Sequence, residues 1–333
     1  MWTGRLQGGV RRERRMNPGT SGIHHVTAIT ADAQRNIDFY CGVLGLRLVK
    51  VTVNFDDPRS FHLYYGDGMG RPGTVLTFFE WPRIPGGRIG PPQVTATALE
   101  VPAGSLGYWE ERLRGAGVEV SGPVERFGEG VLRFEDPDGT AVEIVGVGAS
   151  AGEAWEAGPV PVEHAVRGFH SVTISEEGHE GTAGALTGLM GFELAGEEGG
   201  RFRYRAAGDG GVGAAVDVVC APDARHGLMG GGVVHHVAFR ARDEGEQARR
   251  RERIAGAGLN VSPVMDRTYF KSIYFREPGG VLFEIATDGP GFAVDEGVEA
   301  LGTGLMLPAR YEGLRGEIEE RWKRLRLPGE GGR

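Results

Sequence analysis

The segment FREPGGVLFEIA (275–286) repeats the pattern of FEDPDGTAVEIV (134–145), which lies 141 residues earlier in the chain. Each segment is typical of a strand, a turn with proline and glycine, and a second strand that contains a carboxylate, Glu143 or Glu284. The preceding segments RGAGVEVSGP (114–123) and AGAGLNVSPV (255–264) match at the same offset. The chain therefore consists of two successive halves of similar design.

Each half divides again into two units. A strand pattern at 23–30 is followed by DAQRNIDFYCGVLG (32–45), in which Ile37, Tyr40 and Leu44 have helical spacing and Gly45 marks the end. Three further strand-like runs complete this unit. Similar opening strands begin at 94, 169 and 233, with VTATALEV, FHSVTIS and VVHHVAF. We predict an α+β fold of four βαβββ modules, with a ferredoxin-like sandwich as the structural alternative.

The composition indicates a globular protein with a sizeable core. The 333 residues are 40% hydrophobic and 25% charged, and the formal net charge of −8 gives no general attraction to nucleic acid or an anionic membrane. Cys41 and Cys220 are far apart, which indicates neither a disulfide framework nor a thiolate zinc site. We predict a cytoplasmic protein without a membrane segment, in which self-association through exposed sheet edges is plausible.

Two pairs of adjacent histidines open two of the strands. They occur in SGIHHVTAIT (21–30) and in GGVVHHVAF (231–239). Alternate residues of a strand share a face, so His25 lies with Thr27 and faces away from His24, and His236 likewise faces away from His235. Glu284 lies among apolar residues, where a carboxylate is costly to bury unless it is paired or bound to a metal.

These residues predict a metal site of two imidazoles and one carboxylate, the arrangement that leaves open positions on non-haem Fe(II). The first and last strands of one module bring together His236 and Glu284. The spacing permits either His25 or His170 as the third ligand, because each opens an odd-numbered module. At the offset of 141, Thr95 is the counterpart of His236, so Glu143 lacks a histidine and is predicted to be either part of an ion pair or a decayed ligand.

The remaining histidines carry no such pattern. We expect them to be ordinary hydrogen-bonded residues of the core or its rim: His62, His164, His179 and His226.

At HHVTAIT, RGFHSVTI, VVHHVAF and FREPGGVLFEIA the chain resembles the vicinal oxygen chelate superfamily, and within it the hydroquinone-type ring-cleaving dioxygenases. The resemblance extends from about residue 22 to 312 and includes DAQRNIDFYCGVLGLRLVK, YYGDGMGRPGTVLTFF and YFKSIYFREPGGVLFEIAT. It implies two tandem vicinal oxygen chelate domains of two modules each. The predicted division is a disordered basic arm (1–21), a first domain (22–147), a linker (148–165), a second domain (166–312) and a C-terminal helix and tail (313–333) that closes against the second half. Met1 and Met16 are both candidate start residues.

The resemblance also implies a ligand set and the residues around it. In the hydroquinone-cleaving branch, the matching positions that hold the metal are His25, His236 and Glu284, whereas in the catechol-cleaving branch the first ligand corresponds to His170. Five further positions match residues that surround the metal in the hydroquinone-cleaving branch: His24, Thr27, His235, Arg267 and Tyr274. With His25 as a ligand, the first and fourth modules must pack together.

The resemblance implies an Fe(II)-dependent dioxygenase that inserts O2 into a hydroquinone or a related phenol or diol, with Mn(II) as another metal for the same ligands. Its partners are then a small aromatic substrate and O2. A glyoxalase-like isomerase or thiol transferase is the first alternative. A ligand-binding module without a metal is the second.

Overall fold

The computed structural model describes residues 21–207, 211–322 and 324–328. It contains the four predicted βαβββ modules, so the fold class is confirmed. The basic arm predicted for 1–21, its two candidate start residues and the last five residues of the tail lie outside the described residues, apart from residue 21.

The first two modules occupy the first half of the chain. Module 1 comprises β1 (Ile23–Thr30), α1 (Ala33–Ile37) with a π-helical extension (Asp38–Val43), β2 (Arg47–Asn54), β3 (Asp57–Gly66) and β4 (Val75–Glu80). Module 2 comprises β5 (Gln93–Pro102), a 3-10 turn (Ala103–Ser105), α2 (Leu106–Gly115), β6 (Ser121–Arg126), β7 (Glu129–Glu135) and β8 (Ala141–Val147).

The second half repeats this order. Module 3 comprises β9 (Gly168–Glu176), α3 (Glu180–Ala185) with a π-helical extension (Leu186–Met190), β10 (Phe192–Glu198), β11 (Arg201–Ala206) and β12 (Ala215–Cys220). Module 4 comprises β13 (Val234–Ala241), α4 (Glu244–Gly256), β14 (Met265–Asp266), β15 (Phe270–Arg276) and β16 (Leu282–Pro290). Short 3-10 turns (Phe292–Val294, Val298–Ala300 and Ala309–Leu314) and α5 (Arg315–Trp322) follow. None of the described helices has the length and apolar character needed to cross a bilayer.

Local sequence explains the first helix. Asp32 caps α1, because its side chain accepts a hydrogen bond from the backbone N–H of Arg35. The helix buries Ile37, and its extension buries Tyr40. The chain turns at Gly45, whose φ of 71° is in the left-handed region that glycine adopts without strain. The predicted helical face and end are thus both observed.

Each sheet contains one module from each half of the chain. The first sheet has the order β14-β15-β16-β13-β1-β4-β3-β2, and the second has the order β10-β11-β12-β9-β5-β8-β7-β6. Modules 1 and 4 therefore join through the antiparallel pair β1 and β13, and modules 2 and 3 join through β5 and β9. The packing of the first module against the fourth is confirmed, whereas the domain boundaries at 22–147 and 166–312 stay predictions.

The C-terminal segment packs against module 1, so its prediction as a closure of the second half was wrong. Arg310 and Tyr311 both donate hydrogen bonds to the carbonyl oxygen of Phe55, which follows β2. Further along, Arg321 forms an ion pair with Glu80 at the end of β4. The polar residues of this segment thus contact the ends of β2 and β4 in module 1.

The second sheet contains buried carboxylates that are paired with arginines. Arg126 binds both carboxylate oxygens of the buried Glu143, at 2.7 and 3.1 Å. Arg203 binds both oxygens of the buried Asp217, at 2.8 and 3.0 Å. The ion pair predicted for Glu143 is thus confirmed.

We expect Arg126→Leu to lower the free energy of unfolding by about 3–5 kcal/mol, because it leaves the buried Glu143 carboxylate without its partner. Urea denaturation measures this loss. The double variant Arg126→Leu, Glu143→Leu removes both charges and is expected to recover at least half of it. Equal losses in the single and double variants would contradict the assignment.

Candidate metal centre

The seam between β1 and β13 brings both histidine pairs together. In this antiparallel pair Ile23 faces Phe239 and His25 faces Ala238, so His24 is an extra residue on β1. Thr27 faces His236 and Ala28 faces Val234, so His235 is an extra residue on β13. Each pair therefore contains a β-bulge, which re-aims side chains next to functional sites. From the sequence, His24 and His235 face away if their strands are regular, and a role for them in the site requires a twist, a bulge or a hydrogen-bond relay. The structure has a bulge at each of them.

Strand register aligns the candidate ligands across the sheet. Ala238 on β13 lies between His25 on β1 and Glu284 on the parallel strand β16. Tyr274 on β15 faces Glu284 in turn. A second row runs from His236 through Thr27 to Thr77 on β4. The two rows place His25, His236 and Glu284 on neighbouring strands.

Three potential ligand atoms meet in this cluster. Nε2 of His25 lies 3.4 Å from Nε2 of His236 and 3.3 Å from Oε2 of Glu284. Nε2 of His236 lies 2.9 Å from the same oxygen. Ligand atoms about 2.1 Å from one cation and about 90° apart lie roughly 3.0 Å from each other. The observed separations match that arrangement.

The preceding histidine of each pair fixes the ligand tautomer. Nε2 of His24 donates to the carbonyl oxygen of Thr287 at 3.1 Å, and burial holds the pKa of His24 well below its usual range. The other nitrogen of neutral His24, Nδ1, therefore accepts from Nδ1 of His25 at 3.0 Å. Nε2 of His25 is left with a free lone pair, the state that a metal requires.

The second pair repeats this contact. Nδ1 of His235 lies 2.8 Å from Nδ1 of His236. Burial lowers the pKa of His235 to about 3 and also lowers the pKa of His236, so both rings are neutral. A metal on Nε2 of His236 requires the proton on Nδ1, where His235 accepts it.

The carboxylate of Glu284 has one satisfied oxygen and one open oxygen. Oε1 accepts a hydrogen bond from Ser272, a fully buried residue of β15. Among the described residues, no group donates a hydrogen bond to the buried Oε2, although Nε2 of His236 lies 2.9 Å from it. An open carboxylate oxygen facing two imidazole lone pairs fits a divalent cation.

A partly open cavity lies against this cluster. Phe55, Phe79 and Phe270 contribute apolar surface to it. The predicted residues Thr27, Arg267 and Tyr274 line it as well, whereas His24 and His235 act through the ligand rings. Nε of Arg267 donates to the Tyr274 hydroxyl at 3.2 Å, and its two terminal nitrogens bind Asp56.

Sequence reasoning missed several residues of the site. Asp56, His62 and Tyr64 also line the cavity. His62 is hydrogen-bonded, as predicted, but its place beside the metal ligands was not predicted. Ser272 precedes Tyr274 by two positions, so strand alternation could have placed it on the same face.

The structure does not bring His170 to this cluster. His170 lies on β9 of the second sheet, with Nε2 3.1 Å from Glu129 and Nδ1 2.9 Å from the Ser171 hydroxyl. Ser171 faces Ala98, and Ala98 faces Glu143, which repeats the row of His25, Ala238 and Glu284. Ser171 therefore occupies the position of His25, and His170 that of His24.

The counterpart of His236 is Ala96, not Thr95. Ala96 faces Thr173 in the second sheet, as His236 faces Thr27 in the first. The offset of 141 holds in the hairpins but is one residue shorter in this opening strand, which made the sequence assignment wrong. The second sheet thus retains Glu143 but has neither ligand histidine.

The chain is similar to proteins of known family along most of its length. The family model of the Glyoxalase/Bleomycin resistance protein/Dioxygenase superfamily matches residues 22–144 and 170–285. The "Putative ring-cleaving dioxygenase MhqO" of Bacillus subtilis is 48% identical over 301 residues, which are 90% of this chain and 95% of that protein. The "Chlorohydroquinone/hydroquinone 1,2-dioxygenase" of Sphingobium indicum is 39% identical over 305 residues, 89% of this chain and 94% of that protein.

One solved structure is similar along almost the whole chain. The crystal structure of a "putative dioxygenase" from Bacillus subtilis superposes with a TM-score of 0.88 at 47% identity, covering 94% of this chain and 99% of that one. The module arrangement described above is therefore shared with an experimental structure.

We expect Ser272→Ala to weaken Fe(II) binding by about 10- to 100-fold, because Oε1 of Glu284 loses its hydrogen bond and the carboxylate its fixed orientation. Competition with a chromophoric chelator under anaerobic conditions measures the affinity. Ser171→Ala removes a buried serine of the second sheet, whose hydroxyl contacts Nδ1 of His170 away from the cluster, and is the matched control. Equal affinities of the two variants would show that Ser272 does not support the ligand.

Proposed function

The chain belongs to the glyoxalase/bleomycin resistance protein/dioxygenase superfamily, and we propose that it is a ring-cleaving dioxygenase that uses Fe(II) to insert O2 into a hydroquinone or a related diol. The observation that carries the proposal is the cluster of His25, His236 and Glu284 at the base of an aromatic-lined cavity. The names of the relatives, one of them a hydroquinone dioxygenase, support the same reaction.

In this proposal the two imidazoles and Glu284 hold the metal and leave further coordination positions open. Bound Fe(II) supplies the electron transfer that allows O2 to react with an electron-rich ring, and Mn(II) fits the same ligands. Phe55, Phe79 and Phe270 hold the flat ring and exclude water from it.

Tyr274 is the proton donor of the cavity in this proposal. Its oxygen accepts from Nε of Arg267, so its own hydrogen remains available to an oxygen of the substrate. Burial, together with the charge of Glu284, raises the pKa of Tyr274, so the phenol keeps its proton at neutral pH. Asp56 fixes the other end of the Arg267 guanidinium. The three side chains thus position one hydrogen-bond donor toward the substrate.

The test is anaerobic reconstitution with Fe(II), followed by O2 uptake and ultraviolet spectra with hydroquinone, methylhydroquinone and catechol. We expect uptake with a ring-opened chromophore. We also expect His25→Ala to lose both iron and uptake, because it removes a ligand, and His170→Ala to keep both. Loss in His170→Ala alone would contradict the ligand set. Stoichiometric metal without uptake on any diol would contradict the reaction and favour a glyoxalase-like isomerase.

We expect Tyr274→Phe to lower kcat by about 10²-fold while its iron content stays at the wild-type level, because only the proton donor is removed. Steady-state O2 uptake normalised to bound iron gives this value. Tyr108→Phe is the matched control, since its hydroxyl accepts a hydrogen bond from Arg112 on α2, away from the cavity. An unchanged kcat in Tyr274→Phe would remove Tyr274 from the mechanism.

A further inference from the structure

A chain of four hydrogen-bonded side chains runs along the wall of the cavity. The Thr77 hydroxyl on β4 donates to Oγ1 of Thr27 on β1 at 3.0 Å. Nε2 of His62 on β3 lies 2.8 Å from Oγ1 of Thr77, and the Tyr64 hydroxyl lies 2.7 Å from Nδ1 of His62. All four residues are buried, with at most 9% of their surface exposed.

The direction of the hydrogen bonds follows from counting hydrogens. A threonine hydroxyl has one hydrogen, and Thr77 donates it to Thr27, so Nε2 of His62 must donate to Thr77. Burial holds the pKa of His62 well below its usual range. Nδ1 of the neutral ring therefore accepts from the Tyr64 hydroxyl. Every member of the chain then donates toward Thr27.

Thr27 is left with a hydrogen that no described residue accepts. Thr27 lies two residues after His25 on β1 and directly opposite His236 on β13, and its side chain lines the cavity. Its oxygen already accepts from Thr77, so that bond orients the remaining hydrogen. Because Thr27 lines the cavity, this hydrogen is available to a molecule that fills the cavity beside the two histidines.

We propose that His62 and Thr77 are positioning residues that fix the Thr27 hydroxyl as a hydrogen-bond donor to an oxygen atom of the bound aromatic substrate. This inference rests on the proposed function. The four hydrogen-bonded residues lie on β1, β3 and β4, which all belong to module 1. Module 1 alone therefore determines that the Thr27 hydroxyl acts as a donor. The Tyr64 hydroxyl donates to Nδ1 of His62 and thereby stabilises the tautomer with the proton on Nε2.

The first measurement is independent of activity. Zn(II)-loaded protein labelled with 15N-histidine is examined by long-range 1H–15N correlation, which distinguishes the two neutral histidine tautomers. We expect the Nε2–H tautomer for His62 in the wild type. The Nδ1–H tautomer would overturn the inference, because Thr27 would then lack a fixed donor role.

The second measurement compares variants by kcat and KM for hydroquinone, normalised to bound iron. Thr77→Val and His62→Phe interrupt the chain, and we expect each to lower kcat about 10- to 100-fold, the effect of losing a hydrogen bond to a charged oxygen. His62→Gln keeps an N–H that reaches Thr77, so we expect it to remain within about threefold of the wild type. Thr97→Val, a buried threonine of the second sheet whose hydroxyl has no partner among the described residues, is the matched control.

The outcomes separate the two proposals. A wild-type kcat in Thr77→Val, or an equal loss in His62→Gln and His62→Phe, would overturn the positioning role while leaving the dioxygenase intact. If iron-loaded wild type consumes no O2 with any diol, the proposed function fails, and the histidine tautomer alone then decides whether the chain of donors exists.

Discussion

The antiparallel pairing of β1 with β13 is the constraint on which the site depends. It joins modules that are some two hundred residues apart in the chain and places His25 beside His236. Two bulges in this one seam turn the preceding histidine of each pair toward its neighbour. Without them, regular alternation would send His24 and His235 to the opposite face, and the ligand rings would lose the partners that hold their protons on Nδ1.

Hydrogen bonds around the ligands all lead to one electrostatic result. His24 and His235 accept from the ligand rings, and Ser272 binds the far oxygen of Glu284. Each bond leaves a lone pair facing the same point in a buried site. These lone pairs repel one another unless a cation binds between them. The hydrogen bonds around the ligands therefore favour metal binding.

Much of this could be predicted from the sequence because repetition made the modules visible. The carboxylate-bearing hairpins and the two histidine pairs predicted the fold and the family, both of which are confirmed, and the cluster of His25, His236 and Glu284 forms as expected. Sequence could not predict Asp56, His62 or Tyr64 as cavity residues. Their position beside the metal ligands depends on the order of the strands in the sheet, which the sequence does not reveal. The sequence allowed a bulge at each histidine pair but could not decide that it forms, and it gave no sign of the one-residue change of offset at Ala96, because both are properties of strand pairing.

The second sheet shows what the same frame becomes without the imidazoles. Ser171 and Ala96 stand where His25 and His236 stand in the first sheet, yet a buried glutamate remains at the third position. An isolated carboxylate there would be costly, and the Arg126 guanidinium binds both of its oxygens. One buried carboxylate thus has two solutions in one chain. In the second sheet the guanidinium of Arg126 binds both oxygens of Glu143, so neither oxygen is available to a metal. In the first sheet the two histidines leave Oε2 of Glu284 without a hydrogen-bond donor, and this oxygen is available as a metal ligand.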